Sequence, residues 1–337
     1  MTTEPDITFE WHRWAAISLL RGTPVSDVIA PLVDNGMPEA AAAMLAGSIL
    51  SDPTLEAGKW AIGRLYKLES MLDIRQELRD LAGESDAVPR RSGVSSKQFL
   101  TEYYARNLPV LLEDVCQEWP ALDRWSPEYL VQQIGDVEVE VMDGRREGPG
   151  DELKMDEQRT RTSFAEYVGR VLATEWSNDF YLVANNGLLA SELADPLWKD
   201  FSLDDRYLRP RAPHAETFVW YGPAGTVTNL HHDVMNILFH QVYGWKHVIL
   251  ISPTSTHRLS NSVGVYSDVD PLAPDLGRFP GFEGVHQLHV TVGPGEALFI
   301  PVGWWHHVTA LETSISISST SFRFPNQFEW SNPTMGI

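Results

Sequence analysis

Two short segments hold the densest chemistry in the chain, Thr228-Asn-Leu-His-His-Asp233 and Trp304-Trp-His-His307. A strand turns alternate side chains to opposite faces, so on a strand His231 and Asp233 point one way and His232 the other. One imidazole and one carboxylate then face a common point, and a second imidazole from a distant strand completes a two-histidine, one-carboxylate face. Such a face leaves positions open on a divalent ion, which suits Fe(II) and the activation of O2. A His-x-Asp triplet alone is common and says little. His306 and His307 are rivals for the second imidazole, and alternation does not choose between them. His240 is a third candidate, read more simply as a core histidine.

Elements that can carry these residues follow from the pattern around them. From residue 215 onward short strands dominate, at 217–221, 229–233, 237–243, 246–251, 287–292, 297–300, 306–310 and 314–319. Glycine and proline turns separate them, which predicts a sandwich or jelly-roll barrel. Upstream, 109–113, 137–142 and 179–184 read as strands, while 97–106, 127–134 and 163–172 read as helices. Residues 8–82 are helical throughout. Their last and longest piece, about 55–81, carries Trp60, Leu65, Leu68, Leu72 and Leu78 on one broad stripe. Gly83 and the polar run after it mark a boundary. The expected organisation is a helical region over 1–87 and a main domain over 88–337.

Composition narrows the function. The chain has 337 residues, with 26 Lys+Arg against 46 Asp+Glu and a net charge of −20. That balance argues against a nucleic-acid partner, which requires a basic face. It favours a basic or neutral partner by long-range attraction. The single cysteine, Cys116, allows no intramolecular disulfide and fits a reducing compartment. No apolar run approaches the ~20 residues of a membrane span, and the start does not read as a signal peptide. A cytoplasmic protein is expected.

The stretch GPAGTVTNLHHDVMNILFHQVYGWKHVILISP, followed by VGPGEALFIPVGWWHHV, resembles the JmjC-type, cupin-like Fe(II)/2-oxoglutarate-dependent oxygenases. Within them it looks most like the branch that holds the asparaginyl hydroxylase of hypoxia signalling and many bacterial cupin-like hydroxylases. YYARNLPVLL at 103–112 and VDPLAPDLGRFPGF at 269–282 agree, so the resemblance covers roughly residues 88–322. It implies a mainly β fold, a double-stranded β-helix (jelly-roll, cupin-like) with an N-terminal α-helical region and flanking helices. It makes His231, Asp233 and His306 the iron ligands, His306 being the first histidine after the tryptophan pair. Lys246 falls where the family pairs a lysine with the distal carboxylate of 2-oxoglutarate, and such a carboxylate would otherwise be buried without a partner. Thr228 and Tyr181 match hydroxyls that reach the same carboxylate. Asn236 matches a residue near the metal-chelating end of the cosubstrate.

The implied activity uses Fe(II), 2-oxoglutarate and O2 to hydroxylate a substrate while 2-oxoglutarate is decarboxylated to succinate; desaturation or cyclisation needs the same residues. The substrate expected is an amino-acid side chain, most readily within a peptide or protein. Trp304 beside His306, and Asn185 after the Tyr181 segment, are placed as wall and amide donor at the mouth of the site. The alternatives are an oxygenase of a free or carrier-bound small metabolite, a non-catalytic metal-binding scaffold, and, ranked low, lysine demethylation. The sequence departs from the family at His232, where a tyrosine is usual, and at Ser319 and Thr320, where relatives carry an asparagine. It also lacks the C-terminal dimerisation helices of the hypoxia enzyme, so a homodimer, if formed, is expected through the N-terminal helical region.

Overall fold

The computed structural model describes residues 7–83, 87–145, 158–184, 186, 188–209, 216–261 and 264–330. By its internal contacts the chain divides into two compact units, Met1–Arg75 and Gln76–Ile337. In the first, α1 (Ile7–Leu20), α2 (Val25–Asp34) and α3 (Glu39–Leu50) are followed by the long α4 (Pro53–Leu81), whose last residues belong to the second unit. Asp52 starts α4 by accepting the Thr54 backbone N–H at 2.8 Å, filling an otherwise unpaired first-turn donor. Ala15, Leu19, Val28, Leu32, Ala42 and Ile49 form the core of this unit. Among the described residues, no helix is long and apolar enough to cross a membrane.

The second unit is built on two facing sheets. The larger has the order β1 (Arg90–Arg91), β2 (Val110–Leu112), β11 (Ala297–Ile300), β8 (Ile237–Tyr243), β13 (Ser314–Ser319), β6 (Thr217–Gly222). The smaller runs β10 (Leu288–Val292), β9 (Lys246–Ile251), β12 (Trp305–Ala310), β7 (Val227–His232). Apart from the β1–β2 pair, their ladders are antiparallel. This is the sandwich that the strand pattern predicts, with the mainly β architecture that the family resemblance implies. Leu111, Phe239, Val248, Leu250, Leu298 and Ile300 pack between the sheets. Outside the larger sheet a broad core of aromatic and aliphatic residues gathers the 121–201 region, and Leu230, Ile249, Ile251, Phe282 and Trp305 form a third core outside the smaller one.

Several local elements differ from expectation. Residues 97–106 form a short helix, Ser96–Gln98, that widens into a π-helix over Phe99–Tyr104. Of the predicted 179–184 strand, β5 (Phe180–Tyr181) pairs with β3 (Glu138–Asp143) and Leu182 makes a single bridge to Tyr221 on β6. β4 (Arg159–Ser163) pairs with β3 although its sequence, RTRTS, has no apolar residue. Arg159 and Arg161 hold it there through Glu140 across the ladder, so cross-strand charge pairing takes the place of a hydrophobic face.

Candidate metal centre and cosubstrate cavity

The smaller sheet brings the two histidine segments side by side, with His306 on β12 directly opposite His231 on β7. The register then shifts: Val308 pairs with Thr228, so two steps along β12 match three along β7. A bulge of this kind turns one extra residue out of the alternation. It lets Thr228 and His231, three apart and of opposite parity, both face the interior. Asp233 follows the end of β7 and is held by Gly303 N–H, which donates to its carbonyl at 2.9 Å.

His231, Asp233 and His306 present ligand atoms within 4.8 Å of one another, the one such group of three or more among the described residues. His231 Nε2 lies 3.9 Å and His306 Nε2 3.4 Å from Asp233 Oδ2. Each ring donates its other N–H to a backbone carbonyl, His231 Nδ1 to Asn229 at 2.8 Å and His306 Nδ1 to Trp304 at 3.0 Å. A carbonyl can only accept, so both tautomers are fixed with the Nε2 lone pairs aimed at the common point. Burial, then the neighbouring His306, lowers the His231 pKa to about 4, which keeps the imidazole neutral. Burial alone would raise the Asp233 pKa, yet the histidines packed around it, His306 foremost, bring it below the usual value. Two imidazoles with inward-facing Nε2 atoms and one carboxylate make a donor set that fits a divalent transition ion.

The three groups open on a cavity of about 380 Å³ between the sheets, within the size range of small-ligand sites. At its inner end Lys246 is 1% exposed. Its ammonium donates to the Tyr181 hydroxyl at 3.0 Å, and the Thr228 hydroxyl hydrogen-bonds to Tyr181 as well. Burial alone drives the Lys246 pKa down to about 7. A buried ammonium whose hydrogen-bond partner is a single neutral hydroxyl, with its pKa governed by desolvation, is an arrangement that an anion would relieve. This end therefore fits one carboxylate of a dicarboxylate whose other end reaches the metal.

The remaining sequence candidates separate clearly. His307 faces the outside of the smaller sheet, and His240 lies behind the larger one against Trp119. His232 also turns outward, edge-on to Trp305. Neither Asn236 nor Trp304 lines the cavity. The Asn236 amide is used between two turns, and Trp304 is 1% exposed with its indole N–H donated to the Asn107 carbonyl at 2.8 Å. Trp304 packs with the inter-sheet core and does not form a wall of the mouth, contrary to the sequence expectation. Asn185 lies outside the described residues. Of the departures at the last strand, Thr320 lines the cavity and Ser319 does not; its neighbour Ser318 does, accepting the Trp220 indole N–H at 2.8 Å. Sequence reasoning missed Trp220, Tyr266 and Arg145 as lining residues. Strand parity on β6 is the one signal that could have exposed Trp220. Tyr266 arrives from a loop, bridged to His231 and stacked on its ring at 5.7 Å, and Arg145 from the end of β3, its guanidinium donating to the Val227 carbonyl at 2.6 Å.

Comparison with known proteins agrees with this geometry. A family model described as a cupin-like domain matches residues 96–322. Lysine-specific demethylase 8 of Xenopus tropicalis is 31% identical over 245 residues, covering 69% of this chain and 52% of that protein. The bifunctional peptidase and (3S)-lysyl hydroxylase JMJD7 of Homo sapiens is 29% identical over 292 residues, covering 73% of this chain and 89% of that one. JmjC domain-containing protein A of Dictyostelium discoideum is 26% identical over 242 residues, 66% of this chain and 91% of that one. The chain thus spans about half the length of several curated relatives, the first among them. It belongs to the cupin-like, JmjC-type oxygenase family. Enzymes of this family use Fe(II), 2-oxoglutarate and O2, and the donor set and the cationic inner end described above fit the first two.

Proposed function

We propose that the chain is an Fe(II)- and 2-oxoglutarate-dependent hydroxylase of an amino-acid side chain, within a peptide or protein, and that residues 88–337 carry this activity. The observation that bears the reading is the convergence of His231, Asp233 and His306 at one end of a cavity whose other end holds Lys246, Tyr181 and Thr228. In this reading His231, Asp233 and His306 hold the iron, and Lys246 with the two hydroxyls binds the distal carboxylate. When bound, iron, 2-oxoglutarate and O2 supply the oxidation: one oxygen atom enters a C–H bond, and the other leaves in succinate as CO2 is released.

The chain's own residues do the positioning. The Nδ1 hydrogen bonds hold both imidazoles in the ligating tautomer. Lys246 sets the distance of the cosubstrate from the metal, and Phe239, whose ring lies 5.3 Å from the Lys246 ammonium, and Val308, paired with Thr228, keep water from that end. Trp220, Phe218, Met235 and Tyr266 leave a mixed apolar and hydroxyl surface on the remaining side, suited to a side chain entering with its backbone outside. That lysyl side chains are named for one relative and lysine-specific demethylation for others supports a peptide or protein substrate as a class. The test is to offer a proteome digest and a metabolite extract separately to the iron-loaded protein with 2-oxoglutarate under oxygen. A +16 mass shift on peptides, matched by succinate, is expected; a shift confined to small metabolites would contradict the substrate class and leave the oxygenase standing.

Self-association through the N-terminal helical region belongs to the same proposal. Trp60, Leu65, Leu68 and Met71 on α4 are each more than half exposed, a cluster larger than a solvated helix face ordinarily shows.

A further inference from the structure

The chain continues past β13, and residues 324–330 return along the open end of the sandwich beside the turns that carry the proposed metal ligands. Asn326 is the pivot of that return. Its side-chain oxygen accepts the backbone N–H of Asn236 at 2.8 Å and the Asn236 amide at 2.9 Å, and is the longer branch, at 3.3 Å, of the bond that the Tyr104 hydroxyl donates chiefly to the Pro325 carbonyl. Its NH2 donates to the carbonyls of Asn236 at 3.0 Å and Thr320 at 2.8 Å. Both ends of the amide are in use, and no other side chain of its size supplies an acceptor and a double donor in this geometry.

From Asn326 the bonds lead to both ligand-bearing turns. The Asn236 side-chain oxygen accepts the Val302 N–H at 2.8 Å, and Gly303 N–H donates to Asp233 O. Asn107 donates its amide to the Val302 carbonyl at 2.9 Å and receives the Trp304 indole N–H. The turn after Asp233 and the turn before His306 are therefore tied to one another, and both to the tail. Further contacts seat that tail: Phe324 packs against Phe99 and Tyr104, Tyr104 donates to the Pro325 carbonyl at 2.9 Å, and Trp330 meets the His232 ring edge-on at 6.0 Å. Apart from Thr320 and the ligand Asp233 itself, none of these groups lines the cavity, so the network acts on the ligands from behind.

We propose that Asn326, outside the barrel and distant in sequence from every ligand, is a positioning residue for the metal: through Asn236 it fixes the spacing of the Asp233 and His306 turns. The inference rests on the reading of His231, Asp233 and His306 as metal ligands. Outer partners of metal ligands commonly set affinity by 10–100-fold, and the four hydrogen bonds that hold the Asn326 amide are lost together when it is removed.

The test measures Co(II) binding to the full chain by its visible absorption, which reports both affinity and ligand geometry, alongside thermal unfolding. Asn326→Ala and Asn326→Asp should each weaken Co(II) about tenfold or more and alter the band shape; the aspartate keeps the size but loses both donors. Asn236→Ala should do the same, and the double variant Asn236→Ala/Asn326→Ala should be no worse than either single, because the two act as one unit. Tyr104→Phe, which keeps the ring in its aromatic cluster, should remain folded and weaken Co(II) a few-fold, and it carries the test if the alanine variants do not fold. Any folded Asn326 variant with wild-type affinity and spectrum, even one that melts earlier, overturns the proposal. Wild type that binds no Co(II), or His231→Ala that binds it as well as wild type, overturns the ligand reading and this inference together.

Discussion

Lys246 is the residue whose chemistry is most exposed to experiment. Removing it as Lys246→Ala would leave the incoming carboxylate buried without its counter-charge, a loss of about 3–5 kcal/mol, or more than 100-fold in 2-oxoglutarate affinity. Calorimetry on metal-loaded protein measures this, and equal affinity would remove the cosubstrate assignment. Its protonation gives a second expectation. With a pKa of about 7 in the empty cavity, Lys246 is mostly neutral at pH 8, and an anion beside it restores the charged form. Binding of 2-oxoglutarate at pH 8 should therefore take up close to one proton, and at pH 6, where Lys246 is already charged, almost none. Titrations in buffers of different ionisation enthalpy read the difference. In the folded protein without ligand the sign runs the other way: the unfolded lysine holds its proton up to pH ~10, so between pH 7 and 10 this group makes stability rise with pH.

At the scale of elements, the register of the smaller sheet decides what the site can hold. Side-chain alternation places His231 and Asp233 together but sets Thr228 on the opposite face; the bulge on β7 brings it back. A bulge leaves no mark in composition, and for that reason Thr228 was legible only through the family pattern. The same limit applies to Asn236 and Trp304. Their residue types suit a site, but hydrogen bonds to Asn326, Val302 and Asn107 from distant segments turn them away, and such long-range partners are not written in local spacing. The strands themselves were legible because their apolar runs are bounded by glycine and proline. The β8–β9 turn tests how tightly this frame is set. Gly244 has φ +66°, and a Cβ there would run into the Thr313 carbonyl, whereas Gly303, at φ +77°, has no neighbour nearer than 3.6 Å. Gly244→Ala should lose roughly 1–3 kcal/mol or more from strain and clash, and Gly303→Ala distinctly less. Denaturant melts showing equal losses would mean that the turn relaxes.

For the whole molecule, the division into a helical unit and a cupin-like unit leaves the exposed apolar residues of α4 to be explained. The sequence stripe reads more readily as core than as interface; Trp60 at 67% exposure and Leu68 at 60% stand against core, while Leu72 is half-buried. A stable partner surface covers ~800 Å² per chain, and these side chains would form its apolar centre. Light scattering at micromolar concentration should give a dimer, and Leu68→Glu should shift it toward monomer. A monomeric wild type would remove self-association without touching the cavity.

The central claim is that His231, Asp233 and His306, and not His307, hold the iron that drives 2-oxoglutarate turnover. The most direct measurement is succinate formed from 2-oxoglutarate under oxygen by Fe(II)-loaded wild type, His306→Ala and His307→Ala side by side. His306→Ala should abolish succinate, since a three-ligand face that loses one ligand loses geometry as well as affinity, and His307→Ala, on the outer face of the sheet, should retain most of it. Loss in His307→Ala with retention in His306→Ala, or no succinate from wild type, would contradict the account.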